Sequence, residues 1–220
     1  MQLAATLRKE ILLQWRTRSQ IAAVFIFGAT SLLLFSFSIG PNSEALRLYA
    51  PGFLWLGLLL SSTLTLSESF HLEMEERALE GLLLLPASER SLYYGKAIAN
   101  AFQLTLLGIA LIPVMVVLYD AGTTRIPAMI GVIILGAAGL SAPGTLYTAM
   151  TSQLRAQQTL LPLLLFPLVV PVLLAAVKAT SLFILGDPMG QAKSWIILLI
   201  AFDAIYWSLC GLLFGRVVED

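Results

Sequence analysis

Few side chains in this sequence could carry out a chemical reaction. The chain holds one histidine, His71, and therefore neither a pair of metal-binding histidines nor an HExxH helix. The Gly95-Lys96 pair lacks the upstream glycine and the following Ser or Thr of a phosphate-binding loop, so we expect no ATP hydrolysis by this chain alone. A single cysteine, Cys210, allows no internal disulfide and no cysteine-based metal cluster. The sequence therefore predicts a non-catalytic protein, with no catalytic, cofactor-binding or metal-binding residue assigned.

Two ionisable residues lie well inside long apolar segments, where a charge is costly and marks a candidate functional site. Asp203 is near the middle of the apolar segment 194–214, and Lys178 lies towards the end of the preceding segment. Asp203 is either a transport or proton-relay carboxylate or a hydrogen-bond partner for another helix or subunit, and the second interpretation is favoured. Lys178 is long enough to reach lipid headgroups from its helix.

A group of charged side chains lies between the second and third apolar segments, at residues 71–91. Helix-forming residues dominate its first part, where Glu73 and Arg77 have the i,i+4 spacing of a helical ion pair. The apolar run 82–85 is too short to cross a membrane and must lie on its surface or against a partner. Composition leaves two alternatives open: a docking site for a soluble protein, or a solvated amphipathic connector.

The elements that position these residues follow from composition. Charged residues make up only 12% of the 220-residue chain, about half of the roughly 25% typical of soluble domains, which excludes an ordinary soluble fold. Six segments reach the length of about 20 residues that a spanning helix needs, and none alternates as a transmembrane strand would. We therefore predict an all-α integral membrane protein with one transmembrane domain over residues 1–220, whose spans are Ile21–Ile39, Pro51–Phe70, Leu92–Tyr119, Ile126–Met150, Thr159–Leu182 and Ser194–Phe214.

Basic residues that flank the spans predict the orientation, because lysine and arginine are enriched in cytoplasmic connections. Nine of the thirteen lie on the side of the two termini and the 71–91 connection, against four on the other side. We therefore expect both termini in the cytoplasm. The net charge of zero predicts no attraction to nucleic acid.

The N-terminal residues 1–20 predict an amphipathic elbow helix on the membrane surface. One face of this helix would carry apolar side chains spaced four residues apart, namely Leu3, Leu7, Ile11 and Trp15. The alternative is a positively charged flank that only sets the orientation of the first span.

Two spans have unusual composition. The fifth contains Pro162, Pro167 and Pro171, each of which removes a backbone donor and bends the helix. Such a helix either moves and lines a cleft or wraps around its neighbours, and the sequence does not separate these alternatives. The fourth span is rich in small residues between 131 and 144, which predicts close approach of neighbouring helices.

Several stretches together closely resemble the CcmB family, the membrane subunit of the cytochrome c maturation ABC transporter, also called haem exporter protein B. No single motif is diagnostic, but their order and spacing match nearly the whole chain. They are Ser-Phe-Ser-Ile-Gly-Pro at 36–41, Ala-Pro-Gly-Phe-Leu-Trp at 50–55, Glu-Arg-Ala-Leu-Glu-Gly-Leu-Leu-Leu-Leu-Pro at 76–86, Ser-Ala-Pro-Gly at 141–144, and Leu-Phe-Pro-Leu-Val-Val-Pro at 165–171.

The resemblance implies an ABC-2-type permease in a bacterial inner membrane, working in two copies within the lipid bilayer. ATP would be hydrolysed by a separate CcmA-like subunit, and haem is a possible substrate of the complex. Further implied partners are a CcmC-like haem-handling protein, a small CcmD-like membrane protein and a CcmE-like haem chaperone. Two alternatives remain: a scaffold that translocates nothing, and an ABC-2 exporter of another hydrophobic substrate.

The same resemblance favours the docking interpretation of residues 71–91, as a cytoplasmic coupling loop that contacts the ATPase. The residues expected to dock or couple to the ATPase are Glu73, Glu76, Arg77, Leu79, Glu80 and Leu83.

Overall fold

The computed structural model of the chain describes residues 6–7, 18–75, 89–122, 125–151 and 157–219. Within these ranges the backbone forms six long helices and no strand, and each helix is long and apolar enough to cross a bilayer. The predicted all-α membrane class is therefore confirmed. The helices are α1 (Arg18–Ile39), α2 (Ser43–Glu75), α3 (Glu89–Tyr119), α4 (Ile126–Thr151), α5 (Gln157–Leu185) and α6 (Ala192–Glu219).

The start of α2 differs from the prediction. The helix begins at Ser43, eight residues before the predicted start at Pro51. Asn42 caps it, because its side-chain oxygen Oδ1 accepts a hydrogen bond from the backbone N–H of Ala45 at 3.1 Å. Pro51 is buried inside the helix rather than at its first turn, a position that neighbouring helices make tolerable in a membrane protein.

The other helix ends lie within five residues of the predicted spans. Since α2 continues to Glu75 and α3 begins at Glu89, the predicted connection 71–91 is helical at both of its ends. We call the end of the bundle that carries Glu75, Glu89 and Gln157 the coupling end. The opposite end carries the connections at 40–42, 120–125 and 186–191.

A tight connection joins α5 to α6 and fixes where α6 starts. Gly186 and Gly190 have φ angles of +104° and +67°, which glycine adopts without strain. The carboxylate of Asp187 accepts hydrogen bonds from the backbone N–H groups of Gln191 and Ala192 at 2.8 and 3.0 Å. These bonds satisfy amides around the start of the helix that contains the candidate residue Asp203.

Helix α4 occupies the centre of the bundle. It packs against α2, α3, α5 and α6, whereas α1 packs only against α2 and α3. The largest apolar cluster takes buried side chains from all six helices. A change in the shape of α4 therefore reaches four of the five other helices directly.

The outward faces of the helices are apolar, and several polar side chains point inward. Val117 is 82% exposed and Phe37 is 76% exposed, as expected of side chains that face lipid. By contrast, Ser61, Asn100 and Thr145 are fully buried between helices. Polar side chains in a membrane protein are expected inside the bundle, where other helices supply hydrogen-bond partners.

Candidate functional site

A proline interrupts the hydrogen bonding of the central helix α4. Pro143 lies inside α4, in the stretch Ser-Ala-Pro-Gly, and all four of these residues are buried. Proline has no backbone N–H, so the carbonyl of Gly139, four residues earlier, loses its usual helical donor. We call residues 138–144 the α4 break.

Side chains from two neighbouring helices bind carbonyl groups of the α4 break. The Tyr93 hydroxyl of α3 donates to the carbonyl of Ala142 at 3.1 Å, and Nε1 of Trp207 in α6 donates to the carbonyl of Ala138 at 3.3 Å. Ser141 also donates to the Ala138 carbonyl, at 3.1 Å. Hydrogen bonds from other helices are a recognised way to stabilise backbone near a proline in a membrane.

A second polar contact joins α3 to α4 just beyond the break. Nδ2 of Asn100 donates to Oγ1 of Thr145 at 3.1 Å, and both residues are fully buried. Lys96, one turn earlier in α3, is also buried, with 1% of its surface exposed. The side-chain oxygen of Asn100 has no hydrogen-bond donor among the described residues. Of the eleven buried polar side chains that the structure describes, seven belong to α3 and α4.

Glycines in α4 allow other helices to approach closely, as the sequence predicts. A Cβ atom on Gly136 would overlap the indole ring of Trp55, and one on Gly144 would overlap the side chain of Leu66. Trp55 is held in this position because its Nε1 donates to Oγ1 of Thr180 in α5 at 3.0 Å. The indole therefore ties α2, α4 and α5 together.

Asp203 lies against the α4 break. Its oxygen Oδ1 is 3.0 Å from the position that a Cβ would take on Gly139, and the side chain of Val172 in α5 approaches the same glycine. Oδ1 is buried and has no hydrogen-bond donor among the described residues. No group of three His, Cys, Asp or Glu side chains that could hold a metal ion occurs in this described part of the chain. Oδ1 of Asp203 thus lies at the contact between α6 and α4.

The first turns of α3 connect the coupling end to the other helices. The Tyr94 hydroxyl donates to the carbonyl of Trp207 at 3.3 Å, and its ring lies over Gly211, where a Cβ would collide with it. A Cβ on Gly95 would lie 3.0 Å from Cβ of Thr6 and 2.8 Å from its Cγ2. The N-terminal segment and α6 thus both contact α3 within its second turn.

Most of the expected coupling residues fall outside the described residues. Glu73 belongs to the last turn of α2, and nothing is described of its side chain. The remaining ones, which lie outside the described ranges, are Glu76, Arg77, Leu79, Glu80 and Leu83. Of the predicted elbow helix before α1, the structure describes only residues 6–7, which are helical and half-buried.

The three prolines of the fifth span lie within one continuous helix, α5. Pro167 and Pro171 are exposed and Pro162 is half-buried, while the buried face of α5 is formed by residues such as Leu165 and Val169. Two of the three rings are therefore on the outer face of the bundle rather than in its interior.

An open groove of about 520 Å³ lies between α1 and α3 on the outer face. Apolar side chains such as Phe25, Ile26 and Val117 line it, and Thr30 is the one polar lining residue. No ionisable group is among the residues that line this groove.

The fold and the site together define a class. Four of the other five spanning helices pack on a central helix that contains a proline, and hydrogen bonds join the helices in the interior that the structure describes. This architecture is that of an all-α membrane permease.

Comparison with known proteins names the family. The family model described as "CcmB protein" matches residues 1–218, so the chain belongs to the CcmB family. It is 28% identical to the "Heme exporter protein B" of Pseudomonas aeruginosa over 195 residues, which cover 89% of this chain and 87% of the relative. It is 33% identical to the "Heme exporter protein B" of Paracoccus denitrificans over 187 residues, which cover 84% of this chain and 85% of the relative. The likeness inferred from sequence is therefore confirmed.

Proposed function

We propose that this chain is the transmembrane permease subunit of an ABC transporter for cytochrome c biogenesis. It does not itself hydrolyse ATP, and it couples hydrolysis by a separate CcmA-like ATPase to haem export or to release of a haem-loaded chaperone. The observation that carries this proposal is the family match over residues 1–218, together with relatives named heme exporter protein B.

The arrangement of α3 supports a route for the coupling. Displacement of the segment before Glu89 moves the first turns of α3, whose Tyr93 and Tyr94 bond to α4 and α6. ATP binding would bias two arrangements of the spans, because the ATPase contacts the segment differently in its two states. The residues proposed to receive the ATPase remain Glu73, Glu76, Arg77, Leu79, Glu80 and Leu83.

The proposed complex lies in a bacterial inner membrane with both termini of this chain in the cytoplasm. Two copies of the chain would face two ATPase subunits. CcmC-like, CcmD-like and CcmE-like proteins would handle haem next to them, and haem would be a substrate of the complex rather than a resident cofactor of this chain.

A charge reversal at the coupling segment tests the docking assignment. Glu80→Lys should lower the amount of ATPase subunit that co-purifies with the membrane-inserted chain, because it removes an acidic contact from the docking surface. Glu44→Lys is the matched control, since Glu44 is exposed at the start of α2, at the opposite end of the bundle. Normal recovery of the ATPase with Glu80→Lys would remove the docking assignment.

The scaffold alternative makes a different prediction. A pure scaffold would still support cytochrome c formation when the ATPase subunit carries a substitution that blocks hydrolysis. A permease that depends on coupling should lose formation of c-type cytochromes in that strain, although the complex still assembles.

A further inference from the structure

If Asp203 is ionised, its buried oxygen Oδ1 needs a hydrogen-bond donor, and the described part of the chain supplies none. The residue lies eleven positions into α6, about 16 Å from its start at 1.5 Å per residue, and therefore far from lipid headgroups. An ionised carboxylate only accepts hydrogen bonds, and no described group donates to the buried Oδ1. An unpaired charge at this depth is expensive.

The α4 break contains a carbonyl group that lacks its usual hydrogen-bond donor, and this carbonyl belongs to a residue that Asp203 approaches. Pro143 deprives the Gly139 carbonyl of its usual donor, and Oδ1 of Asp203 lies beside Gly139. The neighbouring carbonyls of Ala138 and Ala142 already accept side-chain hydrogen bonds from Trp207 and Tyr93. The Gly139 carbonyl lacks its usual backbone donor, and Oδ1 of Asp203 lies 3.0 Å from the position that a Cβ would take on the same residue.

We propose that Asp203 is a positioning residue that is held as the neutral carboxylic acid and donates its proton to the Gly139 carbonyl exposed by Pro143. One hydrogen bond then solves both problems, since the acid gains an acceptor and the carbonyl gains a donor. A side chain at Gly139 would crowd both Oδ1 of Asp203 and the side chain of Val172. Val172 of α5, the other side chain that approaches Gly139, carries no charge.

This role is independent of which substrate the complex moves. With Trp207 and Asp203 both bonded to the α4 break, α6 holds the break through two neighbouring carbonyls. The acid therefore sets the shape of α4, the helix on which α2, α3, α5 and α6 pack.

Four variants of the full chain test the proposal, measured by thermal unfolding of the purified protein. Asp203→Leu removes the donor and should lower the midpoint by about 2–4 °C, whereas Asp203→Asn retains an N–H donor and should stay close to the parent. Pro143→Ala restores the backbone amide, so in that background Asp203→Leu should lower the midpoint by less than half as much. Equal damage by Asn and Leu, or additive effects of Asp203→Leu and Pro143→Ala, would overturn the proposal.

Infrared spectroscopy provides a readout that a purely structural role would not affect. The parent protein at neutral pH should show the C=O stretch of a protonated carboxylic acid, which Asp203→Asn abolishes and Pro143→Ala shifts. If instead a cationic side chain of another subunit binds an ionised Asp203, no such band appears at neutral pH and Pro143→Ala changes nothing. That result would also contradict the proposal.

Discussion

At the scale of single residues, two glycines of α4 sit in very different surroundings. Gly136 lies directly beneath the indole of Trp55, which is 1% exposed, while nothing lies within 4 Å of a Cβ built on Gly131. Both are helical glycines five residues apart. The difference between them is therefore a difference of packing rather than of backbone conformation.

The two glycines give a matched pair of substitutions. Gly136→Ala should destabilise the protein by about 1–3 kcal/mol, because the added methyl forces the buried indole to move. Gly131→Ala should be neutral or slightly stabilising, since alanine favours helix and meets no obstacle. Thermal unfolding of both purified variants measures the difference. Equal behaviour of the two would contradict the packing of Trp55 on α4.

The hydrogen bond of the same indole can be tested separately. Thr180→Val keeps the shape of the buried side chain but removes the acceptor for Nε1 of Trp55, at an expected cost of about 0.6–1.7 kcal/mol. Thr30→Val makes the same chemical change at an exposed position on α1 and should cost nothing measurable. A loss of stability no larger for Thr180→Val than for Thr30→Val would show that the bond does not contribute.

At the scale of elements, the first turns of α3 contact three neighbouring parts of the chain. Its second turn contacts the N-terminal segment through Gly95 and α6 through Tyr94, and its third turn reaches α4 through Asn100. A displacement of this helix cannot occur without a response from all three neighbours, since their contacts are close-packed.

The contact between α3 and the N-terminal segment can be tested by cross-linking. In a chain with Cys210 replaced by alanine, the pair Thr6→Cys and Gly95→Cys should form a disulfide under mild oxidation. Their Cβ positions lie 3.0 Å apart, so a small adjustment reaches disulfide geometry. The pair Thr6→Cys and Gly131→Cys is the control and should remain reduced. Failure of the first pair to cross-link would place the N-terminal segment elsewhere.

The sequence predicts the spans well but not their partners. Each span carries its own signal, a run of about 20 apolar residues, so five of the six starts lie within three residues of the prediction. The predicted start of α2 is wrong because the apolar run begins at Pro51, whereas Asn42 caps the helix before the charged residues Glu44 and Arg47. Pairs such as Trp55 and Thr180, or Asn100 and Thr145, join distant parts of the chain, and no periodicity within one helix reveals them. Asp203 is recognisable as unusual from sequence, but its neighbour Gly139 is not.

At the scale of the whole molecule, the zero net charge conceals an uneven distribution. The basic residues favour one side of the membrane by nine to four, and six of the thirteen acidic residues lie between Glu68 and Glu89. The interior meanwhile is held by hydrogen bonds between helices around a broken central helix. The acidic segment of the sequence agrees with the proposed docking of a soluble partner.

The most direct measurement of that function is the amount of covalently bound haem in c-type cytochromes of a strain that lacks this chain. We expect the haem signal to be lost on deletion, restored by the parent gene, and not restored by the Glu80→Lys variant, although that variant inserts in the membrane. Unchanged levels of haem-containing cytochromes in the deletion strain would contradict the assignment to cytochrome c biogenesis.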